Sequence, residues 1–111
     1  NFPKHIGLPR GCLDSVLDLL ENNNIRVEIQ DERRTGRKIS AKFTGKLRKD
    51  QKAAVREMMK HETGVLCAPT AFGKTVAAAK LIARRKVSTL ILVHRTALLN
   101  QWLEQLTIFL Q

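Results

Sequence analysis

The sequence predicts an α/β fold: a parallel strand-helix-strand unit, preceded by a small α+β segment with one helix and a β-hairpin. Three observations predict it. Gly64-Val65-Leu66-Cys67-Ala68 and Leu90-Ile91-Leu92-Val93 are short apolar runs bounded by polar or turn-forming residues, the pattern of strands buried on both faces. Between them, Val76 to Ala83 is apolar at almost every position, and Ala77, Ala78 and Ala79 would let a helix lie close against a sheet. Ahead of them, Ile25 to Ile29 and Ile39 to Phe43 alternate apolar and polar residues around the polar stretch Asp31 to Lys38, the signature of a hairpin.

The elements follow in order. Leu13, Val16, Leu17 and Leu20 recur at helical spacing and predict a helix over Leu13 to Glu21, with Asn22-Asn23-Asn24 as its stop and turn. Arg33, Arg34, Arg37 and Lys38 fall at the expected hairpin tip, where charges are usually solvated. A helix is predicted from Arg48 to about His61. Its apolar side runs Leu47, Ala54, Val55, Met58, and Lys49, Lys52, Arg56 and Lys60 form a basic stripe. Gln51 interrupts the apolar side, and an amide there must find partners in the protein or on a ligand. From Ala97 to Leu110, the residues Leu99, Trp102, Leu103, Leu106 and Leu110 share one helical face, which places Trp102 and Phe109 in packing. The division expected is a small α+β segment over residues 1–45 and a larger unit over 46–111.

Composition narrows the partner. The 111 residues carry 20 Lys+Arg against 10 Asp+Glu, a net charge of +10. Of these, twelve basic and four acidic residues follow Gly45, so the excess charge belongs to the second part and points to a polyanion. No run reaches the ~18 apolar residues of a membrane span, and the first twenty residues lack a secretory signal pattern. The expectation is a soluble, cytoplasmic chain without a membrane partner. Cys12 and Cys67 stand alone and read as reduced, buried thiols, with no metal box or disulfide framework.

The chemistry lies in Ala68-Pro69-Thr70-Ala71-Phe72-Gly73-Lys74-Thr75. It matches the phosphate-binding loop G-x-x-x-x-G-K-[ST] except that Ala68 takes the place of the first glycine. A loop running into a helix N-terminus turns backbone N–H groups and the positive end of the helix dipole toward an anion. Gly73 lets the backbone come close, Lys74 can reach the β- and γ-phosphates, and the Thr75 hydroxyl suits Mg²⁺. The backbone of Pro69, Thr70, Ala71 and Phe72 completes the cradle. Ala71 resists a positive φ, so a tight closure on phosphate is harder for this loop than for a glycine-rich one.

These residues resemble a known family. A-P-T-x-x-G-K-T, preceded by Arg48-x-x-Gln51 and followed by Leu90-Ile-Leu-Val-His-Arg-Thr-Ala-Leu-Leu-Asn-Gln-Trp102, looks like the start of the first RecA-like motor domain of a superfamily 2 helicase. The chain is most similar to the DEAD/DEAH-like branch that holds the type III restriction subunits and the XPB-type repair helicases. The resemblance covers about Phe43 to Leu110; residues 6 to 42 match more weakly. It implies a P-loop, RecA-like fold, ATP and Mg as cofactors, and nucleic acid as partner, DNA ahead of RNA. It further implies that Gln51 reads the adenine edge with Arg48 among the cofactor-binding residues, that Lys74 and Thr75 serve catalysis, and that His94, Arg95 and Thr96 touch the sugar-phosphate backbone. On the residues alone, Thr96 also reads as an ordinary N-cap and His94 as a packing residue.

The D-E-x-H motif of such motors is not in the chain, and no Asp or Glu lies between Glu62 and Glu104. The reading is therefore an ATP-binding, incomplete motor domain. A second RecA-like domain is expected in the parent chain, and little ATP hydrolysis is expected from this piece alone. The alternative is a non-catalytic nucleic-acid-binding module, in which the Lys49 to Lys60 stripe and Arg84-Arg85-Lys86 hold the polyanion and the loop takes phosphate incidentally. A small-molecule kinase is disfavoured by the lack of acceptor-site carboxylates.

Overall fold

The helical spacing of Leu13, Val16, Leu17 and Leu20 is realised in the computed structural model, which describes residues 4–111, as helix α1 over Leu13–Asn22. A single 3-10 turn, Arg10–Cys12, leads into it, closed by the Cys12 N–H donating to the Pro9 carbonyl at 3.0 Å. The asparagine run ends the helix. The side-chain amide of Asn23 donates to the Leu19 carbonyl at 2.7 Å, and Asn24 takes a left-handed backbone with φ 56°, a conformation Asn tolerates better than most residues. The Ile25 N–H then returns to the Leu20 carbonyl at 2.9 Å.

The chain divides into two compact units, one ending at Arg33 and the other spanning Arg34–Gln111. In the second, three helices form: α2 over Lys49–Met58, α3 over Lys74–Arg85 and α4 over Thr96–Phe109. Helix α3 packs against both α2 and α4. Ala77 and Ala79 have no exposed surface, and at 100° per residue they stand roughly 200° apart around α3, so the helix is covered on two sides. Val55 of α2 and Ala83 of α3 complete the buried apolar core. The alanine run does allow close approach, but to helices.

The predicted fold class does not hold. Among the described residues there are four α-helices and no strand, so neither the parallel strand-helix-strand unit nor the β-hairpin is present and the architecture is helical. The two expected hairpin arms belong to different units: residues 25–29 lie in the first and residues 39–43 in the second. Residues 39–43 find their backbone partners in the loop after α3 and at the end of α4. Antiparallel bridges join Lys38 to Val87 and Phe43 to Leu110. Arg37 and Ser88, and Lys42 and Gln111, exchange hydrogen bonds of 2.7–3.0 Å. Residues 64–68 and 90–93 run without regular secondary structure, and Val65, Leu90 and Leu92 are 92%, 82% and 83% exposed. Alternation and apolar runs report a preference for burial, whereas a strand needs a neighbour for its N–H and C=O groups, which no local pattern specifies.

Smaller expectations are also corrected. The helix expected to reach His61 stops at Met58, with Lys60 and His61 beyond it. Its end is clamped by Arg85 of α3, whose Nη2 donates to the His61 carbonyl at 2.8 Å. Leu99 and Leu103 of α4 are exposed, while Trp102, Leu106 and Leu110 are half-buried. The Phe109 ring stacks on Phe43 at 6.0 Å between centroids, and the Lys80 ammonium sits 4.9 Å from the Phe43 ring. Both cysteines are free; Cys12 is half-buried and Cys67 is exposed rather than buried.

Candidate functional site

Helix α2 is capped by Arg48, whose backbone is extended (φ −67°, ψ 166°) and whose N–H donates to Oε1 of Gln51 at 2.9 Å. This is the half of a capping box in which the third helical side chain reaches back to the cap residue. Gln51 is only 3% exposed, and the other end of its amide also has a protein partner: Nε2 donates to the Phe72 carbonyl at 2.8 Å. That carbonyl accepts a second hydrogen bond from Nη2 of Arg48, also at 2.8 Å. The start of α2 and the loop over residues 68–75 are thus joined through one carbonyl oxygen that accepts two hydrogen bonds.

Asp50 supports this junction. Its carboxylate stands 3.4 Å from Nε and Nη2 of Arg48, and the hydrogen bond from that guanidinium holds its carboxyl below the ordinary carboxylate value. Asp50 lies outside the residues that the sequence singles out, and although Phe72 belongs to the expected loop, nothing in the sequence marks its carbonyl as the acceptor for Arg48 and Gln51.

The loop runs into α3 at Gly73, the N-cap, with φ 80° and ψ 47°. Glycine adopts this left-handed conformation without the cost that a Cβ imposes. Space requires it as well, since a Cβ there would stand 2.6 Å from Nε2 of Gln51. Two residues earlier, Ala71 also adopts positive φ, 63°, the region it was expected to resist. Phe72 N–H donates to the Pro69 carbonyl at 3.3 Å, which curls the loop, and Nζ of Lys74 folds back to the same carbonyl at 2.9 Å. Lys74 is exposed, Thr75 is half-buried, and among the described residues the Thr75 hydroxyl has no hydrogen-bond partner.

The structure therefore brings Arg48, Gln51, Pro69, Phe72, Gly73 and Lys74 into one bonded cluster. His94, Arg95 and Thr96 lie apart from it at the start of α4, all exposed, with no hydrogen bond to the loop. Arg95 is the cap residue, in extended conformation, and Thr96 is the first helical residue rather than the cap. A cavity of about 520 Å³ opens between the end of α2 and Val65–Cys67, and none of the loop residues 69–75 lines it.

The loop geometry and motifs agree with the comparison to known proteins. The family model described as type III restriction enzyme, res subunit, matches residues 44–111, and the chain belongs to this family. The superfamily 2 resemblance is borne out by its relatives. The putative helicase 161L of Invertebrate iridescent virus 6 is 39% identical over 75 residues, covering 64% of this chain and 17% of that protein. The DNA 3'-5' translocase XPB2 of Sulfurisphaera tokodaii is 39% identical over 64 residues, 58% of this chain and 15% of that protein. The putative helicase 109L of Invertebrate iridescent virus 3 is 32% identical over 93 residues, 80% of this chain and 28% of that protein. The chain thus spans less than a third of the length of each of these relatives. No solved structure matches it.

Proposed function

We propose that residues 44–111 form the ATP-binding part of an ATP-dependent DNA helicase or translocase. The observation that carries this reading is the left-handed Gly73 capping α3 directly ahead of Lys74 and Thr75, at a position where the Gln51 amide leaves no room for a Cβ. Family membership and relatives named as helicases and a DNA translocase support it. The residues suit a nucleoside triphosphate with Mg²⁺. The N-terminus of α3 and the backbone N–H groups of Thr70, Ala71 and Gly73 offer donors to phosphate oxygens. The exposed Lys74 ammonium, now on the Pro69 carbonyl, would turn to the β- and γ-phosphates, and the Thr75 hydroxyl would hold Mg²⁺, which would supply neutralisation of phosphate charge.

Gln51 keeps one N–H and one lone pair beyond its two protein bonds, a donor and acceptor pair that suits the adenine edge; Arg48 positions it. His94, Arg95 and Thr96 contact the sugar-phosphate backbone at the start of α4, where the helix dipole favours anions. No helix of the described residues is long and apolar enough to cross a membrane. The test is calorimetric titration of ATP·Mg into the chain. Lys74→Ala should weaken binding at least tenfold, and Gln51→Ala should erase any preference of ATP over GTP. Equal affinity of wild type and Lys74→Ala for ATP overturns the reading.

A further inference from the structure

Helix α2 carries a face that neither the loop nor the core uses. Lys49, Lys52 and Arg56 are spaced three and four residues apart and fall within roughly 60° of one another around the helix axis. Their mean direction stands roughly 110° from that of the buried Gln51 and Val55. All three are exposed, and among the described residues none forms an ion pair. The two carboxylates of the helix lie on the other side and are each satisfied. Asp50 pairs with Arg48, and Glu57 pairs with Lys60 at 2.7 Å and faces His61 at 3.7 Å. Lys60, expected to extend the stripe, is thereby withdrawn from it. Three like charges held together with no internal acid raise the local potential and leave it for an external anion.

We propose that Lys49, Lys52 and Arg56 form a contact surface for the phosphodiester backbone of duplex DNA, outside the phosphate-binding loop and the His94–Thr96 segment. This rests on the reading that the chain acts on DNA. The stripe is straight and about 10 Å long at 1.5 Å per residue. Each of the three long side chains can engage one phosphate of the backbone, so the stripe makes up to about three phosphate contacts. Helix α2 contains no aromatic residue, and single strands are gripped chiefly by base stacking, so the regular duplex backbone is the better match.

The experiment measures binding of a blunt duplex by fluorescence anisotropy across a salt series, for wild type, Arg95→Ala and the triple variant Lys49→Ala/Lys52→Ala/Arg56→Ala. Alanine has the highest helix propensity, so α2 is retained, as the variant's circular dichroism and unchanged ATP affinity will report. The slope of log K against log salt should become shallower by about 2.7 in the triple variant, at roughly 0.9 per phosphate released. An unchanged slope with intact folding overturns the proposal while leaving Arg95→Ala to report on the motif contact. A larger loss for polyglutamate or for a single strand than for the duplex also overturns it. If the wild type binds no duplex at all, the underlying reading fails together with it.

Discussion

Gln51 and Gly73 are in contact across the junction of α2 and α3: the Gln51 Nε2 stands where a Cβ on residue 73 would come within 2.6 Å of it. The same nitrogen donates to the carbonyl of Phe72, the residue just before the glycine. Gly73→Ala therefore meets two penalties, a left-handed φ and displacement of a buried amide. It is expected to lower unfolding free energy by about 1–3 kcal/mol, measured by denaturant titration. Unchanged stability would show that the contact can relax without loss.

Gln51 can be examined from its own side. Gln51→Ala removes the acceptor of the Arg48 N–H, whereas the Phe72 carbonyl keeps Arg48 as donor, so about 1–3 kcal/mol of stability should be lost. Gln51→Glu should cost more. The carboxylate still accepts from Arg48 but cannot donate to Phe72, and it buries a charge beside a carbonyl oxygen. A milder effect for Glu than for Ala in chemical denaturation contradicts this account.

Ala71 holds φ 63° without being glycine. Relief of a left-handed backbone in Ala71→Gly is worth about 1–2 kcal/mol, offset by the ~0.4–1 kcal/mol that glycine adds to unfolded-state freedom. The expected order of melting temperatures is Ala71→Gly at or above wild type, and Ala71→Val, β-branched, clearly below it. The reverse order would mean that residue 71 does not hold this conformation in solution.

Asp31 accepts hydrogen bonds from the backbone and the guanidinium of Arg33, which pull its carboxyl down from the ordinary 3.8 to about 2. A depressed carboxylate favours the folded arrangement above its unfolded value and loses that contribution as pH falls. The Asp31–Arg33 turn should therefore be intact above pH ~4 and open as pH falls through about 2. The carboxyl carbon shift in an NMR titration reads this directly, and Arg33→Ala should return the midpoint to the ordinary range.

Gly45 lies between the stacked rings of the second unit. A Cβ there would stand 2.6 Å from Phe109 and 2.8 Å from Phe43. Gly45→Ala should force the rings apart and cost about 1–3 kcal/mol as overpacking, detectable as a lowered melting temperature. The Phe109→Leu background should reduce that cost, and an undiminished cost there would place the strain elsewhere.

How much was legible is clearest in the helices and the loop. Leu13–Asn22 and Thr96–Phe109 lie close to where periodicity places them, and Lys74–Arg85 contains the apolar run Val76 to Ala83, because a helix satisfies its hydrogen bonds within its own segment. Gly73 before Lys74 marks the turn into α3, because only glycine takes that backbone freely. Residues 39–43 carried no comparable signal. Their alternation could serve any edge, and the partners that residues 37–44 take, Lys86 to Ser88 and Ile108 to Gln111, are more than forty residues away.

Residue types at fixed spacing suffice for the family and the loop residues, and composition suffices for the excess of basic charge after Gly45. That the apolar runs around Leu66 and Ile91 are not paired as strands came from the folded chain. The fold likewise set Gln51 to join α2 to the Phe72 carbonyl, and left Lys49, Lys52 and Arg56 without an ion pair among the described residues while Lys60 has one. The physical reason is common to all three: a local pattern states what a side chain or backbone group needs, and the partner that meets the need is supplied by residues distant in the chain or by the packing of one helix against another.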